Sequence, residues 1–290
     1  MVASSLARCG RVGNVTGVLF LATPEAAMSA PDEFPAFETI AGNRSRGMLL
    51  LGDHAMRKVP AEYGDLGLEK RQFDRHIAYD IGVEALTRAL AARLGVSAVM
   101  ATFSRLLIDA NRGEDDPTLI RQIYDGAVIP ANYPLSDEER ETRLERFHRP
   151  YHEAVAAEIE AVASAAGKAP FVVSVHSFTP MMQGRVRPWQ VGILWDKDPR
   201  APRALIEMLS ADPTLTVGDN EPYKGALMGD TMYRHCSMRG LAHVLIEVRQ
   251  DLISSDEGVE AWCHRLAPLL EAINARPDIH EVRHFGSRAT

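Results

Sequence analysis

The 290-residue chain is predicted to form a single three-layer α/β/α domain around a mostly parallel, mixed central sheet. Three observations predict it. Short apolar runs rich in Val, such as Phe171 to Val175 and His243 to Val248, read as strands buried on both faces. Strand-like and helix-like segments alternate along the chain with no repeat and no linker. The composition, 46% hydrophobic and 24% charged, supplies a sizeable core and excludes a wholly disordered chain.

Residues 31–290 are assigned to that domain and residues 1–30 are left outside it. Arg8 and Arg11 precede a short, Gly-interrupted apolar stretch, Val15 to Ala22, and small residues follow at Ala27-Met-Ser-Ala30. That is a weak secretory signal. The favoured alternative is an upstream extension before Met28, with a cytoplasmic protein. From Pro31 to Arg46 the chain reads as an irregular lead-in. Met48 to Leu51 is a strand ended by Gly52-Asp53-His54. Asp80 to Leu94 is an amphipathic helix, with Ile81, Ala85, Leu86, Ala89, Leu90 and Leu94 on one side and Gly95 where a C-cap belongs.

Val96 to Thr102 reads as a strand and Arg105 to Asp109 as a second extended piece. Glu114 to Tyr133, with Pro117, Gly126 and Pro130, reads as a long ordered loop, the kind that often carries function in a compact domain. Ser136-Asp-Glu-Glu139 is a capping box that opens a helix running to Pro150, and a second helix spans Tyr151 to Ala166. After the Phe171 strand comes a hairpin-like stretch, Gln183 to Pro188. Strands at Gln190–Trp195 and Thr214–Val217 flank a helix from Pro202 to Ser210. The His243–Arg249 strand and a helix capped by Ser254 or Ser255, running through Asn274, complete the domain.

The net charge of −7, from 39 acidic and 32 basic residues, leaves no basic stripe for nucleic acid. No run is long enough to span a membrane. Cys9, Cys236 and Cys263 are too few and too scattered for a disulfide framework or a Cys-rich zinc site.

Candidate chemistry lies at strand ends, where an open α/β sheet builds its ligand crevice. His176 ends one strand and Asp53-His54 follows another. Glu247 interrupts the apolar run Val244-Leu-Ile-Glu-Val248. A carboxylate there is costly to bury unless paired. It faces outward, pairs with Arg249 at a period of two, or serves as a general base. Arg112 beside Asn111 suits a carboxylate ligand through two parallel hydrogen bonds, or is neutralised by Asp109, Glu114 or Asp115. His235-Cys236 either lines the pocket or packs in the core. Two histidines plus carboxylates could hold zinc with one position left for water.

The order of motifs resembles the N-formylglutamate amidohydrolase family, a branch related to the zinc carboxypeptidases. The stretches that carry the resemblance are Asp53-His-Ala-Met-Arg-Lys-Val-Pro60, Arg75-His-Ile-Ala-Tyr-Asp-Ile-Gly82 and Ser104-Arg-Leu-Leu-Ile-Asp-Ala-Asn-Arg-Gly-Glu-Asp-Asp116. Val175-His-Ser-Phe-Thr-Pro180, Gly218-Asp-Asn-Glu-Pro-Tyr223 and Leu245-Ile-Glu-Val-Arg-Gln-Asp251 extend it over about residues 45–270. The resemblance implies a zinc-carboxypeptidase-like fold, a Zn2+ ion or another divalent metal, and a small carboxylate substrate, with N-formyl-L-glutamate first in line. It implies His54 and His176 as metal ligands, Asn111 and Arg112 as the carboxylate clamp, and Glu247 as the catalytic glutamate.

One departure stands out. Zinc carboxypeptidases carry a ligand Glu three residues after the first His, and here that position is Arg57, which cannot coordinate a metal. The third ligand must come from elsewhere, with Asp74 and Asp80 the candidates. A second substrate carboxylate is assigned to Arg185, Arg187, Arg234 or Arg249. Two alternatives stay open: a metal-dependent deacylase or carboxypeptidase-like hydrolase with another substrate, and a metal-free carboxylate-binding protein on the same scaffold.

Overall fold

The computed structural model describes residues 34–289. The expectations for residues 1–30, and Cys9 with them, lie outside the described residues. In chain order the strands are β1 Phe37–Ile40, β2 Met48–Gly52, β3 Ser97–Ala101, β4 Ile123–Tyr124, β5 Ala127–Val128 and β6 Phe171–Phe178. Then come β7 Met181–Met182, β8 Arg185–Val186, β9 Val191–Leu194, β10 Val217–Asp219 and β11 His243–Arg249. The helices are α1 Val83–Leu94, α2 Asp137–Arg143, α3 Arg149–Ala166, α4 Arg200–Ser210, α5 Thr231–His235 and α6 Asp256–Asn274.

Seven strands form one mixed sheet in the order β1-β3-β2-β6-β11-β9-β10. β3, β2, β6 and β11 are mutually parallel, and β10 is parallel to β9. The antiparallel joins are β1 to β3 and β9 to β11. Alternation along the central strands separates two cores. Leu50, Val173, Val175, Val244 and Ile246 pack with Leu86, Leu205 and Leu266 of α1, α4 and α6. Leu49, Leu51, Val172 and Leu245 pack with Tyr151, Val155 and Ile159 of α3. The α/β class is therefore as expected, with helices on both faces of the sheet.

Several local expectations are corrected. The lead-in contains β1, a short edge strand whose alternating exposure kept its apolar signal weak. Arg105 to Asp109 is a turn, because Ser104 Oγ donates to the Ala78 carbonyl and accepts from the Leu106 amide. The last edge strand starts at Val217, later than Thr214. Helix α2 passes through a π turn, Leu144–His148, straight into α3, with Pro150 just after that turn.

Helix α1 begins at Val83, three residues later than expected, and the shift matters. Gly82 has φ +83°, and a Cβ there would lie 2.2 Å from the Ile253 carbonyl oxygen. The left-handed turn ends the preceding loop and frees Asp80 from the helix. The Asp80 amide donates to the His54 carbonyl at 2.9 Å, tying this turn to the end of β2. No described helix is long and apolar enough to cross a membrane.

Candidate active site

The parallel register sets His176 of β6 beside Glu247 of β11, and Glu247 lies beside Gly192 of β9. Both side chains share a face with Val172, Ser174 and Leu245, so they emerge on the α3 side at the C-terminal ends of the strands. Gly192 is required there. A Cβ would meet the Glu221 carbonyl oxygen at 1.9 Å, and the 218–223 loop closes over that point.

His54, Asp80 and His176 are buried together and could hold a metal ion, each offering one ligand atom within 4.8 Å of the others. Asp80 Oδ2 lies 2.9 Å from His176 Nδ1 and 3.5 Å from His54 Nδ1. The opposite nitrogen of each ring meets a buried carboxylate. His54 Nε2 is 2.6 Å from Asp109 Oδ1, and His176 Nε2 is 2.9 Å from Asp53 Oδ2. Those carboxylates fix both rings so that each Nδ1 faces the shared point, the arrangement in which outer carboxylates orient metal-ligating imidazoles.

The outer carboxylates are themselves held. Asp53 accepts from Tyr151 Oη at 2.8 Å, Ser174 Oγ at 2.8 Å and Thr231 Oγ1 at 2.6 Å. Arg105 donates to Asp80 Oδ1 at 3.0 Å and to Asp109 Oδ2 at 3.1 Å. Burial alone would raise the carboxyl of Asp53, but hydrogen bonding and charge from His176 hold it well below the usual carboxylate range. For Asp109 burial is outweighed by Arg105 and His54. For His176 burial is outweighed by hydrogen bonds to Asp53 and Asp80, which raise it.

The donor set suits zinc: two imidazole nitrogens and one carboxylate oxygen. One buried atom supports that fit, since His54 Nδ1 has no hydrogen-bond partner. An orphaned buried nitrogen is costly in a folded protein, and here it faces Asp80 and the neighbouring ring.

A cavity of about 430 Å³ opens onto this group, lined by His54, Asp80, His176, Asn111, Arg112 and Glu247 among others. Glu247 is neither outward-facing nor paired with Arg249. It is 6% exposed, and its Oε2 is buried without a partner. Burial first, and then the Asp80 charge, push its carboxyl up to about 7. Asn111 Oδ1 accepts from the Thr231 amide at 3.0 Å. Arg112 is braced by the Asn111 carbonyl at 2.7 Å and Thr118 Oγ1 at 3.2 Å, and its closest acid, Asp116, is 3.9 Å away.

Other expected residues lie elsewhere. Asp74 is 68% exposed, on a surface turn, where it pairs with Arg57. Arg57 therefore stays outside the buried group. Arg249 pairs with Asp251 at 2.8 Å just past the strand end and does not line the cavity. His235 is buried and does not line the cavity; its Nε2 is 2.9 Å from His152 Nδ1. Sequence reasoning missed the roles of Arg105 and Asp109, and it overlooked Asp230. Asp230 lines the cavity, caps α5 by accepting from the Tyr233 amide at 2.6 Å, and has its carboxyl raised to about 7 by burial. Its readable signal was an Asp one residue before a helical segment.

Comparison with known proteins identifies the family. The sequence model of the N-formylglutamate amidohydrolase family matches residues 46–254. The chain is 33% identical to a gene product from Agrobacterium tumefaciens of solved structure, over 83% of this chain and 95% of that one, with a TM-score of 0.77. The N-formylglutamate amidohydrolase from Ralstonia eutropha JMP134 shares the fold at 21% identity, over 82% of this chain and 96% of that one, with a TM-score of 0.55. No curated protein matches the chain in sequence.

Proposed function

The chain belongs to the N-formylglutamate amidohydrolase family, and on that premise we propose that it is a metal-dependent hydrolase converting N-formyl-L-glutamate and water to L-glutamate and formate. The observation that carries this reading is the convergence of His54, Asp80 and His176 on one point beside the unpaired carboxyl of Glu247, in one cavity.

His54, Asp80 and His176 would hold a zinc ion, with Asp53 and Asp109 orienting the two rings. Bound there, the metal would polarise the formyl carbonyl and make a water more acidic. Glu247 takes a proton from the attacking water and delivers it to the leaving nitrogen as the C–N bond breaks. A carboxyl poised near neutrality serves both directions of transfer. Arg112, steadied by Asn111 and Thr118, binds the α-carboxylate and sets the formyl group against the reacting water.

The test combines metal content with turnover. Elemental analysis after zinc loading is expected to give about one metal per chain for the three-ligand site. Formate release from N-formyl-L-glutamate is expected on the same sample. Metal without formate release would discard the substrate. A protein that retains no zinc would sink the mechanism.

A further inference from the structure

Four cationic side chains line the cavity: Arg105, Arg112, Arg121 and Lys224. Three have evident circumstances. Arg105 is bound to Asp80 and Asp109, Arg112 is braced as the clamp for one carboxylate, and Lys224 is exposed. Arg121 differs. Among the described residues its guanidinium makes no hydrogen bond and no ion pair, and its Nε is buried without a partner.

That guanidinium is nonetheless well seated. Its carbon lies 4.6 Å from the centre of the Tyr124 ring, a stacking that steers a planar cation without using its donors. Tyr124 is in turn backed by Arg105 at 5.5 Å and His76 at 6.3 Å. The backbone is fixed as well. The Arg121 carbonyl accepts from Asn132 Nδ2 at 2.7 Å, and the fully buried Asn132 is bound by Arg143 Nη1 at 2.7 Å. The acid closest along the chain, Asp125, already faces Arg75 at 2.8 Å and His76 at 3.5 Å.

A stacked, half-buried guanidinium with unmet donors favours an anion that can take two parallel hydrogen bonds. The arginines first considered for a second carboxylate do not fill that role. Arg185 lies exposed on the β7–β8 hairpin, Arg187 donates to Tyr223 Oη at 2.9 Å, Arg249 is bound to Asp251, and Arg234 does not line the cavity.

We propose that Arg121, seated on Tyr124 in the cavity wall, anchors the side-chain carboxylate of the substrate and so selects N-acyl amino acids with an acidic side chain. This rests on the acyl-amino-acid reading of the site. It adds a specificity residue to that reading: Arg112 takes the carboxylate common to all such substrates, and Arg121 takes the one that only acidic substrates carry.

The test compares N-formyl-L-glutamate with N-formyl-L-glutamine, which has the same shape and a neutral end. In Arg121→Gln the ratio of their kcat/KM values is expected to fall roughly 10- to 100-fold, the worth of a charge-assisted contact. Arg112→Gln should lower both substrates and leave the ratio within about threefold. Arg121→Lys, which keeps the charge, should retain part of the preference. An unchanged ratio in Arg121→Gln overturns the proposal.

Calorimetric binding of glutarate and butyrate to the zinc-loaded protein separates this inference from the hydrolase reading. Tighter binding of glutarate that depends on Arg121 supports the anchor even if no formyl substrate is turned over. Equal binding of glutarate and butyrate by the wild type overturns it.

Discussion

Among the described residues the molecule holds two buried histidine groups, and they are built on opposite principles. His54 and His176 are each backed by a carboxylate and share Asp80 between them. His148, His152 and His235 face one another instead. The rings of His148 and His152 are 4.4 Å apart and those of His152 and His235 are 5.2 Å apart, stacked. In the first group the acids overcome burial and raise His176. In the second, burial prevails with the neighbouring positive charges, so His148 and His152 are lowered and His235 falls to about 4. Histidine count is therefore no guide to a candidate metal site. The acids behind the rings are the better guide.

The largest expected effect concerns the group facing the first cluster. Glu247→Gln should retain metal and lose roughly 10²- to 10⁴-fold in kcat, the usual worth of a positioned general acid–base. Metal loss in that variant would make Glu247 part of the metal cradle. The pH profile follows from the same carboxyl. Glu247 is raised from 4.5 to about 7, so the base form is scarce below that pH. Accordingly kcat/KM should rise about tenfold per unit from about pH 5 and level off near 7. An acid limb of the same position in the residual activity of Glu247→Gln would remove Glu247 from the role.

Next come the backing acids. Asp53→Asn and Asp109→Asn keep the shape but remove the charge that orients each ring. Each should weaken zinc binding by roughly 10- to 100-fold, measured by competition with a chelator of known affinity. No change in either would leave the contrast between the two histidine groups without its cause.

How much of this was legible depends on whether the information was local. His54 and His176 could be read because one follows an apolar strand and the other lies near the C-terminal end of one, and strand ends are where α/β sheets place chemistry. Glu247 could be singled out as a lone acid in a buried run. The choice between Asp74 and Asp80 could not be made, because it turns on the path of a loop. The left-handed turn at Gly82 and the Asp80 amide bond to His54 send Asp80 inward, whereas the pairing of Asp74 with Arg57 keeps it outside. Arg121 stayed hidden for the same reason. Its seat is made by Tyr124 and by a buried Asn132–Arg143 contact within and beyond a long loop, and no periodicity records such contacts.

The smallest effect on metal binding should come from the second histidine group. His152→Gln and His235→Gln are expected to change zinc affinity and kcat by less than about threefold, since neither ring has a carboxylate to orient it. Their effect should appear in stability against pH. His235 titrates near 6.5 when unfolded and near 4 when folded. As pH falls through that window the unfolded chain takes up a proton that the folded chain refuses, so stability drops with acid. His235→Gln removes that uptake and should flatten the slope of unfolding free energy between pH 6.5 and 4 by up to about 1.4 kcal/mol per pH unit. The slope, read from urea melts at several pH values, is insensitive to any uniform loss from repacking. An unaltered slope together with lost zinc would mean that the second group serves the metal after all, and the distinction between the two would fall.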